Sequence, residues 1–174
     1  MVNLAAMPGG TMQSLMFDYR SPHVVDCSVI RSIAKQSNST HGNSVEYYST
    51  FFRDFSRTSL VACDPNRLIG FVIGYRRPAA PDDYVIAQQA LLPEFDTVEA
   101  RATLLTTAIG LQVCAGARRA EIAVLDGDRT TPAALGRVTR ERGGRVESAG
   151  RPSADGGPPD CSLYLLGPFT PATN

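Results

Sequence analysis

The chain has 174 residues, which suits one domain of ordinary size, because two cores would each bury too little. It is 43% hydrophobic and 20% charged, with 12 Pro, 15 Gly and no Trp, which excludes collagen-like and wholly disordered classes. Seventeen basic side chains balance seventeen acidic ones, and a net charge of zero argues against a protein whose main task is to coat nucleic acid or an anionic membrane.

The basic residues are a single lysine, Lys35, and 16 arginines, an excess that reads as codon bias before it reads as a site. Cys27, Cys63, Cys114 and Cys161 form no C-x-x-C pair, and the only histidines are His23 and His41, so no zinc or iron-sulfur site is expected. Pro8, Gly9 and Gly10 interrupt the apolar runs near the start, which leaves no secretory signal, and no stretch reaches the roughly 18–20 apolar residues of a membrane span. A cytoplasmic location is the expectation. Residues 1–12 read as a disordered leader, 13–168 as the single domain and 169–174 as a tail.

Ser14–Tyr19 predicts a first strand, and Val24–Lys35 an amphipathic helix with Val25, Ile30, Ile33 and Ala34 near one face. Gln36–Asn43 is polar and loop-like. Ser44 can cap a second helix running to Phe55, in which Tyr47, Tyr48, Phe51, Phe52 and Phe55 form an aromatic stripe expected in the core. Ser59–Cys63 and Leu68–Tyr75, separated by Asp64, Pro65 and Asn66, predict paired antiparallel strands. After the bend at Pro78–Pro81, Tyr84–Leu92 is another extended run, ended by Pro93. Thr97–Cys114 predicts a long helix whose apolar face holds Ala100, Leu104, Leu105, Ala108, Leu111 and Gln112. Ala120–Leu125 is a buried strand, Pro132–Arg142 a short helix with Pro132 at its first position and Gly143-Gly144 as its stop, Val146 onward a weak strand, and Ser162–Leu166 the last strand. The order is that of a mixed α/β (α+β) domain, a bent and mostly antiparallel sheet flanked by helices.

That succession resembles the GNAT N-acetyltransferase fold, whose sheet splays between its fourth and fifth strands to admit acyl-CoA. Asn43-Ser44, Tyr48, Arg53-Asp54-Phe55, Thr58–Ala62, Ile69–Tyr75, and Arg77-Pro78 with Pro81-Asp82 are similar, in register, to the diaminobutyrate acetyltransferases of ectoine biosynthesis. The resemblance covers Tyr19–Leu92, and the remainder only by element order. It implies an enzyme that acylates the amine of a small amino-acid-like metabolite. No tightly bound cofactor is implied, and acetyl-CoA or another acyl donor is a substrate.

The chain departs from the family in two places. Family members open the long helix with a glycine-containing loop whose amides close on the donor's diphosphate, helped by the helix dipole. Here the loop is Pro93–Arg101, without glycine, and Asp82–Ala100 carries five acids, Asp82, Asp83, Glu94, Asp96 and Glu99, and no Lys or Arg. A carboxylate about 7 Å from a phosphate repels it by about 0.6 kcal/mol in a water-like medium and about 2 kcal/mol at an effective dielectric near 20. Altered donor binding is therefore expected, with Arg101 as the rescuing cation. On the acceptor side, the resemblance sets His41, Glu46 and Ala87 where family members carry Asp, Tyr and Trp, so diaminobutyrate itself is not the expected acceptor.

Acyl transfer to an amine needs a base, donors for the oxyanion and an acid for the leaving group. Glu46 and His41 are the candidate bases, Glu46 with a pKa raised if it is buried among the aromatics, and Tyr48 is the candidate acid. Asn43, Ser44, Ala87 and Gln88 are the expected substrate contacts, and the backbone N–H groups of Gln89, Ala90 and Leu91 the expected oxyanion donors. Between Arg118 and Arg151 eight arginines face five acids, which leaves open an acyl donor borne by tRNA or a carrier protein. A non-catalytic descendant that binds a ligand or partner is the third reading, and a homodimer is compatible with all three.

Overall fold

The computed structural model describes residues 17–37, 40–151 and 160–170. The leader, the start of the expected first strand, most of the Gly/Pro-rich loop at 149–159 and most of the tail lie outside them. Seven strands form one sheet in the order β1 (Asp18–Arg20), β2 (Leu60–Cys63), β3 (Leu68–Arg77), β4 (Ala80–Leu91), β5 (Arg119–Leu125), β7 (Cys161–Gly167), β6 (Arg145–Gly150). Every pairing is antiparallel except β4 with β5. Four helices accompany it: α1 (Cys27–Gln36), α2 (Val45–Phe55), α3 (Val98–Cys114) and α4 (Thr130–Arg142).

The local signals that set these boundaries are ordinary. Ser44 caps α2 by accepting the Tyr47 N–H (3.1 Å), and Thr97 caps α3 by accepting the Ala100 N–H (3.1 Å). The turn between β2 and β3 is closed by Asp64, whose Oδ1 accepts the N–H groups of Asn66 and Arg67, both at 2.8 Å. Helix α4 begins two residues before Pro132, so the proline is the third helical residue and not the first. Asp128, from the preceding loop, takes the N–H groups of Thr130 and Thr131 instead (2.9 and 3.0 Å). Gly143 ends α4 with φ 75°, a backbone region that favours glycine.

Side-chain alternation along β4 sorts the layers. Gln88 bonds to the segment before α2, while Gln89, its neighbour, bonds to Arg101 of α3. Successive strand residues face opposite sides, so α2 and α3 cover opposite faces of the sheet. Ile30, Ile33, Tyr48, Phe52 and Phe71 fill the core on the α2 side. Leu104, Leu105 and Ala108 of α3 belong to the same buried set as Ala134, Leu135 and Val138 of α4.

Three expectations fail at the edges of these stripes. Val25 lies in a 3-10 turn before α1 and is 85% exposed. Tyr47 and Phe55 stay at the surface, because only Tyr48 and Phe52 of the aromatic stripe are fully buried, while Phe51 and Phe55 lie against Tyr75 at the margin of the core. Leu111 is 54% exposed, since α3 turns its neighbour Gln112 inward. The four cysteines are free thiols, and among the described residues no helix is long and apolar enough to cross a membrane.

Asp26 anchors the start of α1 to β1. Its carboxylate accepts two bonds from the Arg20 guanidinium (2.8 and 2.9 Å) and one from the His23 N–H (2.7 Å). The Arg20 bonds hold its pKa below the usual carboxylate value, against the opposing effect of burial. A depressed folded-state pKa contributes stability above the unfolded value, near 3.9, and loses it as pH falls through the folded value. Asp26→Asn is therefore expected to destabilise the protein by about 1.5–3 kcal/mol at pH 7 in urea titrations, with the gap to the parent closing below about pH 4.

Candidate functional site

The sheet opens at one place. Strands β4 and β5 pair only over Asp83–Ile86 and Arg119–Ile122, and beyond Ile86 they diverge, leaving Ala87–Leu91 on one side and Ala123–Leu125 on the other. Against β3, Ile86 pairs with Gly74 and Gln88 with Ile73, so Ala87 is the extra residue of a β-bulge placed where the strands part. A cavity of about 220 Å³ lies in the opening, and its lining includes His41, Asn43, Ala87, Gln88, Leu125 and Cys161.

Gln88 is 9% exposed and lines this cavity. Its Nε2 donates to the His41 carbonyl at 2.6 Å, which settles which end of the amide is which, because an oxygen there would face another oxygen. Its Oε1 is then a buried acceptor without a hydrogen-bond partner. That atom is shut off from the cavity as well as from solvent, and leaving it unpaired costs about 1–3 kcal/mol. His41 stands at the mouth, largely exposed, with its Nε2 3.4 Å from the Asp160 carboxylate.

Of the expected site residues, His41, Asn43, Ala87 and Gln88 come together in the cavity. Ser44, Glu46 and Tyr48 do not line it. Ser44 is engaged as the cap of α2. Glu46 is exposed in the first turn of α2, and its pKa is lowered, chiefly by its own backbone N–H and then by Ser44, the reverse of the expected rise. A carboxylate so stabilised is a weaker base. Tyr48 is fully buried; its hydroxyl accepts the Asn43 N–H (3.3 Å), which ties the 41–44 segment to α2, and burial pushes its pKa up.

The three β4 amides divide by direction. Leu92 N–H donates to the Ile69 carbonyl (2.8 Å), so alternation directs the Ala90 N–H toward Phe71 on β3 and turns those of Gln89 and Leu91 to the side where β5 has diverged. Ala90 therefore drops out of the expected donor set.

Arg101 does not meet the solvent at all. It is 0% exposed, and its guanidinium donates to Asp96 Oδ1 (2.9 Å), Asp128 Oδ2 (3.1 Å), Gln89 Oε1 (3.1 Å) and Thr131 Oγ1 (2.8 Å). Thr131 Oγ1 in turn donates to Asp128 Oδ2 (2.5 Å). A cation held this way is not available to a phosphate, which corrects the expected role of Arg101.

The acids around it are also not what the linear sequence implies. Glu94 meets Arg67 (2.8 Å), Glu99 meets Arg137 (2.6 Å), Asp96 meets Arg101, Asp83 meets Arg119 (2.7 Å) and Asp82 approaches Arg118 (4.0 Å). Each acid has an arginine brought from elsewhere in the chain, so the corner is close to neutral and the expected repulsion largely cancels. The same pairs, with Arg151 on Asp126 (2.9 Å), disperse the basic Arg118–Arg151 segment. The amides are a firmer constraint. Phe95, Asp96, Thr97, Ala100 and Arg101 N–H groups already donate within the loop and helix, which leaves those of Val98 and Glu99 in the first turn of α3.

Comparison with known proteins agrees with this geometry. The structure superposes on the diaminobutyrate acetyltransferase of Paenibacillus lautus, solved in complex with L-2,4-diaminobutyric acid and coenzyme A, with a TM-score of 0.77 at 21% identity, covering 91% of this chain and 99% of that one. This is the GNAT fold. A GNAT phosphinothricin acetyltransferase from Sinorhizobium meliloti, in complex with acetyl-CoA, matches with a TM-score of 0.64 at 18% identity, covering 91% and 92% of the two chains. In sequence, the chain is 42% identical over 74 residues to the L-2,4-diaminobutyric acid acetyltransferase of Nocardia farcinica and 37% identical over 71 residues to that of Streptomyces coelicolor. Those matches span 42% and 40% of this chain but only 38% and 42% of the relatives' own length. No family model matches.

Asp160, Cys161, Asp128 and Thr131 escaped the sequence reading as members of the site. Asp160 and Cys161 follow a Gly/Pro-rich loop that carries no periodic signal, and Thr131 acquires its role only through Asp128 and Arg101. The GNAT opening is propped by this buried cluster, and removing its cation leaves Asp128 unpaired. Arg101→Met is expected to cost about 3–5 kcal/mol in denaturant unfolding, far more than Arg53→Met, whose exposed pairing with Asp54 contributes little.

Proposed function

We propose that the chain is a GNAT-fold N-acyltransferase acting on the amine of a small amino-acid-like metabolite, with acetyl-CoA or another acyl-CoA as donor. The observation that carries this reading is the cavity where β4 and β5 part, whose lining brings together His41, Asn43, Ala87 and Gln88. The acceptor amine lies against Gln88 in it. His41 takes the ammonium proton, with the Asp160 carboxylate, 3.4 Å from its Nε2, orienting the imidazole. The free amine then attacks the thioester carbonyl, whose oxygen is polarised by the Leu91 N–H; the C–S bond breaks, the nitrogen's second proton passes to the departing sulfur, and an amide and a thiol result.

The relatives named above act on diaminobutyrate, and that substrate fits less well here. His41 carries a histidine where an acid is expected to meet a second ammonium, and Ala87 leaves the bulge position small. An acceptor larger than diaminobutyrate and without a second cation suits this lining. Donor binding is atypical on this reading, since the loop before α3 has no glycine and only the Val98 and Glu99 amides remain for a diphosphate. The four free thiols suit a reducing cytoplasm.

The test is release of free thiol from acetyl-CoA against a panel of amino acids and their amines. Amine-dependent release is expected; none with any acceptor, together with no shift of the thermal midpoint by acetyl-CoA, overturns the reading. Gln88→Ala is expected to lower kcat/KM by about 10–100-fold, mainly through KM for the amine. His41→Ala is expected to lower kcat by about 100-fold or more, whereas Glu46→Gln leaves it unchanged.

A further inference from the structure

The far end of α3 carries a second cavity, of about 540 Å³, whose lining includes Ser21, Arg57, Arg76, Pro81, Leu111 and Ala115. It lies about 25 Å along the helix from the Thr97 cap, so it is separate from the opening between β4 and β5. Its chemistry is one-sided. No carboxylate lines it. Nine other arginines, at 20, 53, 67, 77, 101, 118, 119, 137 and 151, each face an acid, whereas Arg57 and Arg76, like Arg31, Arg129, Arg140, Arg142 and Arg145, form no ion pair among the described residues.

Arg76 is fixed in place before any ligand arrives. Its Nε donates to the Pro81 carbonyl (2.5 Å) and its Nη1 to the carbonyls of Gln112 (3.2 Å) and Ala115 (3.5 Å), which offsets the negative end of α3 and leaves Nη2 uncommitted. Arg57 is placed by its own carbonyl, which accepts from Gln112 Nε2 (3.3 Å), and its guanidinium forms no ion pair. The cavity therefore carries two guanidinium charges, those of Arg57 and Arg76, beside Ser21. The rest of the wall is apolar: Leu111, exposed although α3 buries most of its side chains, with Pro81 and Ala115.

We propose that this cavity is a second ligand site, which takes a small organic anion whose carboxylate or phosphate head is held between Arg57 and Arg76 and whose aliphatic body covers Leu111. Planar guanidinium donors suit either oxyanion, and the apolar wall selects against bare inorganic ions. The site does not depend on acyl transfer, so it can stand or fall separately from that activity.

The experiment is titration of the full chain with hexanoate, hexyl phosphate and hexan-1-ol, followed by amide NMR shifts. Saturable shifts around Arg57, Leu111, Gln112 and Ala115 are expected with the anions and not with the alcohol, and the tighter of the two anions identifies the head group. Arg57→Gln is expected to weaken binding about tenfold or more, while Arg31→Gln, on an exposed face of α1, leaves it unchanged. Arg76→Gln should do the same as Arg57→Gln; if loss of its carbonyl bonds unfolds the protein, Arg57→Gln decides alone. Absence of saturable shifts with both anions, equal binding of the alcohol, or binding indifferent to Arg57→Gln overturns the proposal.

Discussion

A parallel strand pair that stops after four residues is an unstable arrangement unless something else occupies the gap. Beyond Ile86 and Ile122, one edge of β4 and one of β5 lose each other as hydrogen-bonding partners, and closing the gap would satisfy them both. The Arg101 cluster prevents this. Its guanidinium joins Gln89 of β4 to Asp128 and Thr131 beyond β5, and to Asp96 at the head of α3, so four segments are held at fixed separations around one cation. Burying that cation is tolerable only because two carboxylates and two neutral acceptors surround it. The bulge at Ala87 acts from the other side, turning β4 away from β5 at the residue where pairing ends. The functional opening is thus a consequence of ionic packing, not a defect in the sheet.

The same cluster changes the meaning of the acidic stretch. Five acids in nineteen residues without a basic neighbour predict repulsion of any bound phosphate, by about 0.6–2 kcal/mol for each carboxylate. In three dimensions each has an arginine, drawn from the β2–β3 turn, from α3 itself, from α4 or from the start of β5. Attraction over 3–4 Å offsets repulsion over a longer range, so charge alone does not close the donor corner. Hydrogen-bonding capacity does more, because the 3-10 turn at Pro93–Phe95 and the Thr97 cap already use most of the amides that a diphosphate needs. Electrostatics and hydrogen bonding, which reinforce one another where a glycine-rich loop precedes a helix, are uncoupled here.

What the sequence made legible follows from how local each signal is. The caps Ser44 and Thr97, the Asp64 turn and the Gly143 stop are set within four residues, and each element they bound was expected at nearly its observed position. His41, Asn43, Ala87 and Gln88 were named through a resemblance to known enzymes and meet in one cavity. The failures are non-local. Arg101 was read as a free cation because its partners Asp128 and Thr131 lie 27 and 30 residues away in sequence. Glu46 qualifies as a base with a raised pKa only if it is buried among the aromatics, and a helix of period 3.6 turns Tyr48 and Phe52 inward and sends position 46 outward. Leu111 shows the same limit, since periodicity says which residues share a face but not which face is covered.

Ala87 is the position on β4 where the cavity lining can change while the scaffold stays fixed. A bulged residue has no partner across the ladder, so its side chain is not constrained by a neighbour on β3, and its replacement leaves the pairing of Ile86 with Gly74 and Gln88 with Ile73 intact. Its neighbours are far less free. Gly74 must lack a side chain because a Cβ there would lie 2.4–2.6 Å from the Tyr84 ring, whose hydroxyl donates to the Thr58 carbonyl (2.7 Å). Gln88 must keep its amide to hold the His41 carbonyl. The one position on this stretch of β4 that combines exposure to the cavity with freedom from packing is therefore the bulge. A small residue there enlarges the acceptor side without disturbing Gln88, the Leu91 amide or the Arg101 cluster.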